Sequence, residues 1–226
     1  MSDLTSLNSQ TTVNTWKGII FPNSLTIYID EAWRGPIAGP VTVGLVIGSQ
    51  STNRSWYTDS KSLSARQREQ LADKIKSDSS IIRATGSASA KEIDRNGIIW
   101  ALRWATIRGL RELASKWEIE WSSWVSRKPA IIPNTRKLII DGNHTFWLDT
   151  KLWITVQTII KWDRDIPQIS AASILAKTTR DHVMTKLWAK HPWYGFEQHM
   201  WYGTAKHYQA IKQLGLCEIH RKKWIK

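Results

Sequence analysis

Three apolar, β-branched stretches of this 226-residue chain each end in a carboxylate, and no other feature constrains the fold as strongly. Runs of this composition predict buried strands. Residues at the carboxyl ends of parallel strands gather at one edge of a sheet, so we expect the acids to lie near one another. The stretches are "LTIYID" (25–30, followed by Glu31), "KLIIDG" (137–142, containing Asp141) and "WITVQTIIKWD" (153–163, ending in Asp163).

Strand-like and helix-like segments intermix along the rest of the chain, which predicts an α/β domain with a mixed sheet. Further strands are predicted at 41–48 and 80–89, and helices at 64–77 (capped by Ser64), 90–116 (one or two helices), 169–191 and 204–215. We expect a flexible polar tail over 1–22, a single domain over 23–226 and a loop insertion over 117–136.

The charge balance favours a polyanionic partner. Lys and Arg total 32 against 19 acidic residues, a net charge of 32 − 19 = +13. Nucleic acid is favoured over membrane, because no basic amphipathic anchor and no run of about 18 apolar residues occurs. A basic protein that is merely soluble stays an open alternative on charge alone. The single cysteine, Cys217, excludes an internal disulfide and, with no signal-peptide pattern, predicts a cytoplasmic protein.

Converging carboxylates predict a site for divalent cations. Mg²⁺ prefers oxygen ligands, and clustered acids repel one another unless a cation lies between them. Such cations activate water and stabilise the leaving oxygen of a phosphodiester, so the pattern favours metal-dependent phosphodiester hydrolysis. Each acid also has a structural interpretation: Asp141-Gly142 as a turn, Asp163 in competition with Asp165, and Asp181 as a salt-bridged helix residue. Patterning alone does not select four acids from 19.

Six ordered motifs over residues 25–224 resemble the ribonuclease HII family, which cuts RNA strands in DNA duplexes. The tail and the insertion have no counterpart in that family. The motifs are "DEAWRGPIAGPV" (30–41), "TDSKSLS" (58–64), "IDGN" (140–143), "KWDRDIPQISAASILAKTTRD" (161–181), "YGFEQHMWYGT" (194–204) and "IHRKKW" (219–224).

The resemblance implies a ribonuclease H-like mixed sheet flanked by helices, with a C-terminal helical part. It implies that Asp30, Glu31, Asp141 and Asp163 are catalytic and bind Mn²⁺ or Mg²⁺. It further implies that Arg34 and Gly35 sense the 2′-hydroxyl at an RNA–DNA junction, that Lys61 contacts phosphate and that Tyr202 packs on the neighbouring deoxyribose. His199, His207 and His220 are assigned no chemical role.

The activity implied is endonucleolytic hydrolysis of RNA–DNA hybrids, and of duplex DNA at single ribonucleotides, by two-metal-ion catalysis that leaves 5′-phosphates. We expect a monomer that acts on these nucleic acids. Met200, where the family usually has lysine, departs from the pattern. The alternative is a catalytically impaired nucleic-acid-binding module of the same fold, although all four acids are present.

Tryptophan stands at several positions where the family pattern has glycine. The chain has 15 Trp and 12 Gly, and the affected positions are Trp33, Trp56, Trp162, Trp193 and Trp201. A bulky residue at positive φ in a tight turn costs on the order of 1–3 kcal/mol. We hypothesise that UGA codons, translated here as Trp, are decoded as glycine in the source. The alternative is that Trp33 stacks on nucleic acid.

Overall fold

The protein is described by a computed structural model over residues 14–16, 19–21, 25–32, 34–48, 63–116, 135–149, 155–160, 166–199 and 201–225. Among these residues, no helix is both long enough and apolar enough to cross a membrane.

A five-stranded mixed sheet forms the centre of the protein, as the sequence predicts. Its strands are β3 (Leu25–Ala32), β4 (Val41–Gly48), β5 (Ile81–Ala88), β6 (Thr135–Asp141) and β7 (Thr155–Ile159), in the order β5-β4-β3-β6-β7. β4 is antiparallel to both of its neighbours, whereas β6 is parallel to β3 and β7 is parallel to β6. The three predicted acid-terminated strands therefore lie side by side and run in the same direction.

Several strand boundaries differ from the sequence prediction, and β3 continues past Asp30 to Ala32. β7 ends at Ile159, not at Asp163, and the exposed Ile160 lies in a bend after it. Thr135 and Arg136, expected in the insertion, belong to β6, and residues 117–134 lie outside the described residues. Strands β1 (Asn14–Trp16) and β2 (Ile19–Phe21) form an antiparallel pair within the segment 1–22, where a tail was expected.

Helices cover both faces of the sheet and begin at recognisable caps. Ser64 caps the first helix through a capping box with Gln67, because its hydroxyl accepts from the Gln67 N–H. Gly97, at φ +83°, ends the second helix and divides the predicted 90–116 segment into two helices. The helices are α1 (Ala65–Ser77), α2 (Ala90–Asn96), α3 (Ile98–Lys116), α4 (Pro167–Lys190), α5 (Phe196–His199) and α6 (Ala205–Leu214), with 3₁₀ turns at Pro192–Tyr194 and Lys222–Trp224.

Alternation along the strands divides the core between the two faces of the sheet. Ile27 and Ile29 of β3 pack into the larger cluster, which includes residues of α3. Tyr28 lies on the opposite face with Ile139 of β6 and Ile169 of α4. Burial of each such large side chain contributes roughly 1.5–3 kcal/mol. The sheet is thus held firmly from both sides at the end where the acids lie.

Gly44 allows α4 to lie directly against the sheet. A Cβ atom built at this position would be 2.1 Å from the carbonyl oxygen of Ala172, which no side chain can tolerate. Gly44 is also paired with Asp30 across the β3–β4 ladder. The close approach of α4 therefore takes place beside the first acid of the predicted site.

Candidate metal centre and substrate surface

The parallel register of β3 and β6 brings Asp30 and Asp141 together. Ile29 is paired with Ile140, and each acid is the next residue of its strand. Residues two apart on a strand point to the same face of the sheet. Asp30 is two residues after Tyr28 and Asp141 is two residues after Ile139, so both acids lie on the face that α4 covers. Asp163, the fourth predicted ligand, lies outside the described residues.

Asp30 is a buried carboxyl whose charge is poorly compensated. Its exposed fraction is 8%. Burial, followed by repulsion from Glu31 and Asp141, raises the pKa of Asp30 to about 7, although a hydrogen bond with Ser173 acts in the opposite direction. The Glu31 N–H donates to its Oδ1 at 2.7 Å. Unless a cation lies nearby, Asp30 is therefore protonated in about half of the molecules at neutral pH.

Glu31 has one compensated oxygen and one that is not. Burial raises the pKa of Glu31 and Asp141 adds to this, whereas the Arg34 guanidinium lowers it. Arg34 Nη1 donates to Glu31 Oε1 at 3.3 Å. Glu31 Oε2 is buried and has no hydrogen-bond partner among the residues that the structure describes. Mutually repelling carboxylates with a buried, unpartnered oxygen fit a hard divalent cation such as Mg²⁺ or Mn²⁺.

The predicted substrate residues Gly35 and Tyr202 contact each other. A Cβ atom at Gly35 would lie 3.3 Å from Cε1 of the Tyr202 ring, which is 44% exposed. Arg34, next in the chain to Gly35, is half-exposed and paired with Glu31, so Gly35 and the Tyr202 ring beside it lie close to the acids. Lys61, the predicted phosphate contact, lies outside the described residues.

Trp201 has a backbone conformation that favours glycine. Its φ is +66°, although its ring is 4% exposed and stacks on Phe196 with 3.7 Å between centroids. Such a φ is an outlier for a bulky residue, which supports the glycine hypothesis at this position. Trp193 is 80% exposed, and Trp33, Trp56 and Trp162 lie outside the described residues, as does Met200.

The sequence analysis missed three groups of residues at this site. Ser173 of α4, 1% exposed, hydrogen bonds with Asp30, and its signal was a serine within the apolar run "ISAASILA" (169–176). Arg221 donates to the carbonyl oxygen of Arg34 at 2.8 Å. His207 and His220 form a buried pair beside Tyr202. Arg221 had no local signal because its partners are distant in sequence, whereas His207 and His220 were noted but assigned no role.

Comparisons with known proteins agree with this arrangement. The family model described as Ribonuclease HII matches residues 27–226. Ribonuclease HII of Polynucleobacter asymbioticus is 40% identical over 194 residues, which cover 86% of this chain and 89% of that protein.

Solved structures share the fold. The ribonuclease HII of Archaeoglobus fulgidus, determined in complex with PCNA, has a TM-score of 0.67 at 21% identity and covers 88% of this chain and 95% of its own. The Bst ribonuclease HIII in complex with Mn²⁺ has a TM-score of 0.59 at 16% identity, covering 89% of this chain and 65% of its own. The ribonuclease H-like fold is confirmed. The match of the family model over nearly the whole described chain, together with the close curated relative, places this chain in the ribonuclease HII family, whose members are ribonuclease H enzymes.

Proposed function

We propose that the chain is a metal-dependent endoribonuclease that hydrolyses the RNA strand of RNA–DNA hybrids and cuts at single ribonucleotides in duplex DNA. The products are 5′-phosphate and 3′-hydroxyl ends. The substrate is nucleic acid, to which the net charge of +13 steers the protein, and the cofactor is Mg²⁺ or Mn²⁺.

One observation carries the proposal. Asp30 and Asp141 occupy adjacent positions on parallel strands, and burial with mutual repulsion raises the pKa of Asp30 to about 7. Acids that serve only the fold are normally paired or hydrogen-bonded when buried. A site that leaves Glu31 Oε2 buried and unpartnered among the described residues is prepared for a positive ligand.

The acids would hold the cations, and the rest of the site would orient them. Asp30, Glu31 and Asp141, with Asp163 as the fourth ligand, supply carboxylate oxygens to two divalent ions. Bound divalent ions supply activation of the attacking water and stabilisation of the leaving oxygen. Ser173 and the Glu31 N–H fix the orientation of the Asp30 carboxylate. Arg34 holds one oxygen of Glu31 and leaves the other available.

Substrate selection is assigned to the surface beside the acids. Gly35 has no side chain, so its backbone can approach the 2′-hydroxyl in a minor groove. The exposed Tyr202 ring, in contact with Gly35, would pack on the deoxyribose on one side of the cut. Lys61 would contact a phosphate.

The test is cleavage of a DNA duplex that carries one ribonucleotide, in Mg²⁺ or Mn²⁺, by the wild type and by Asp141→Asn. Asp73→Asn is the matched control, because Asp73 is exposed on α1 and paired only with Lys76 among the described contacts. We expect metal-dependent cutting by the wild type and the control, loss of cutting by Asp141→Asn, and no cutting of an all-DNA duplex. Labelling the products before and after phosphatase treatment identifies the 5′-phosphate.

Tight, metal-independent binding without cutting would contradict the proposal and favour the impaired binding module. That result counts only for protein whose residue at position 33 has been established by mass, since Trp33 in the junction-sensing turn would itself impair cutting.

A further inference from the structure

The C-terminal segment 217–224 is bonded to both parts of the proposed substrate surface, which are the turn 34–40 and the loop that contains Tyr202. Arg221 is fully buried, and His220 is 1% exposed. A buried guanidinium requires hydrogen-bond acceptors to offset its desolvation. The identity of those acceptors indicates what the residue does.

Arg221 donates its side-chain hydrogen bonds to the backbone of the turn that follows the acids. Nε donates to the Gly39 carbonyl at 3.0 Å, Nη1 to the Arg34 carbonyl at 2.8 Å and Nη2 to the Pro40 carbonyl at 3.2 Å. A planar guanidinium fork can bind three carbonyls at fixed angles, whereas a lysine ammonium cannot reproduce this geometry.

Backbone hydrogen bonds attach the same two segments. The Arg221 N–H donates to Ile37 at 2.7 Å, and the Gly39 N–H donates to Ile219 at 2.8 Å. The Ile37 N–H donates in turn to Trp201, the residue before Tyr202, at 3.0 Å. The turn 34–40 is therefore hydrogen-bonded both to the C-terminal segment and to the loop that contains Trp201 and Tyr202.

A histidine pair attaches the C-terminal segment to Tyr202. His207 Nδ1 lies 2.9 Å from the Tyr202 carbonyl, His207 Nε2 lies 3.1 Å from His220 Nε2, and the Cys217 N–H donates to His220 Nδ1 at 3.0 Å. A carbonyl only accepts and a backbone N–H only donates, so Nδ1 of His207 carries a proton and Nδ1 of His220 does not. The bond between the rings then runs from His220 to His207, and both rings are neutral.

We propose that Arg221 and His220 are positioning residues that hold the Arg34–Gly35 backbone and Tyr202 in the mutual arrangement that a ribonucleotide junction requires. This inference rests on the proposed function of that surface. Neither residue touches the reacting atoms. Their contribution is to rigidity, and it is greatest for a substrate with a single 2′-hydroxyl, where the surface has only one sugar to locate.

The test compares Arg221→Lys with Arg103→Lys, a matched change at a second buried arginine, 6% exposed, on the α3 side of the sheet. We expect Arg221→Lys to lower kcat/KM on a duplex with one ribonucleotide by about ten- to a hundredfold, because a hydrogen bond to a charged donor is lost. The loss on a continuous RNA–DNA hybrid should be smaller, and Mn²⁺ affinity should stay unchanged. Arg103→Lys should leave the ratio between the two substrates as in the wild type.

Amide hydrogen exchange supplies a readout that does not need activity. In the wild type, the Ile37 and Gly39 amides should exchange as slowly as those of β4, and in Arg221→Lys they should exchange faster while β4 is unchanged. His220→Gln is the second variant, and it should speed amide hydrogen exchange at Tyr202. If Arg221→Lys does not fold, His220→Gln and the wild-type exchange rates decide the matter.

The outcomes separate the two proposals. A wild type with no metal-dependent cutting contradicts the proposed function. An active wild type whose folded variants lose activity equally on both substrates contradicts the positioning role. Fast wild-type exchange of the Ile37 and Gly39 amides also contradicts it.

Discussion

Glu31 and Glu92 are two glutamates of the same chain in opposite electrostatic situations. Glu92, in the first turn of α2, accepts from the Ser89 N–H at 2.9 Å and pairs with Arg108. The Arg108 hydrogen bond is the main reason that the pKa of Glu92 falls to about 2. Burial instead raises the pKa of Glu31, and one of its oxygens has no hydrogen-bond partner among the described residues.

The difference separates acids that stabilise the fold from acids that are prepared for a ligand. Glu92 stabilises the folded state because its charge is satisfied by Ser89 and Arg108. Asp30 and Glu31 destabilise the metal-free state because their charges are buried beside each other. A bound cation would make the charges of Asp30 and Glu31 stabilising. Replacement of an acid by its amide should therefore have opposite effects on the stability of the metal-free protein at this site and at Glu92.

The largest effect is expected from Glu31→Gln. Loss of a cation ligand should lower single-turnover cleavage by about three orders of magnitude, since bound cations contribute several kcal/mol to the transition state. Glu92→Gln, the same change at the satisfied site, should leave cleavage unchanged. Equal cleavage by the two variants would contradict the distinction between Glu31 as a cation ligand and Glu92 as an acid that only stabilises the fold.

Asp30→Asn should stabilise the metal-free protein. The folded-state pKa of about 7 exceeds the ordinary value of 3.8, so the folded state binds the extra proton, and wild-type stability falls as the pH rises from about 4 to about 7. At pH 8 this costs on the order of 4 kcal/mol, which the asparagine avoids. Urea unfolding in EDTA at pH 8 measures the gain. The gain should shrink towards pH 4, and saturating Mn²⁺ should reverse the order of the two proteins.

Trp33→Gly should raise the activity of the polypeptide as written here. Removal of the indole, which we expect to obstruct the scissile sugar, should increase cleavage by about ten- to a hundredfold, equivalent to roughly 1.4–2.7 kcal/mol of activation free energy. Trp193→Gly is the control, since Trp193 is 80% exposed and should not affect cleavage. A native peptide mass with glycine at 33 and 201 would confirm the decoding hypothesis, and UGG codons there would contradict it.

The smallest effect is expected at the satisfied acid. Glu92→Gln should lower the free energy of unfolding by about 1 kcal/mol, the typical worth of an exposed ion pair combined with a cap. A double-mutant cycle with Arg108→Gln measures the coupling of this pair. A stabilising Glu92→Gln would show that the comparison with Glu31 is mistaken.

Local patterns were sufficient to predict most of the fold. The existence of the five strands, the mixed sheet and the Ser64 cap all follow from composition and short-range spacing, although only β6 ends at its predicted acid. The end of β7 was wrong because the apolar run continues through Ile160, which leaves the sheet and is 63% exposed. Periodicity cannot reveal where an apolar run stops pairing.

The candidate site could be predicted only in part. Asp30 and Asp141 were found because both directly follow buried strand residues, and the family resemblance selected them from 19 acids. The roles of Asp30, Glu31, Asp141, Asp163 and Lys61 all stay predictions, and Asp163 and Lys61 also lie outside the described residues. Arg221 was missed because its acceptors at Arg34, Gly39 and Pro40 lie more than 180 positions earlier in the chain, a relation that no local rule can read.

Gly44 limits how this protein can evolve. It faces α4 at a distance that admits only hydrogen, and on its own ladder it is the partner of Asp30. One added methyl group would push away the helix that carries Ser173, and with it the hydroxyl that orients the Asp30 carboxylate. A substitution at Gly44, a residue with no functional group, would therefore disturb the proposed metal site.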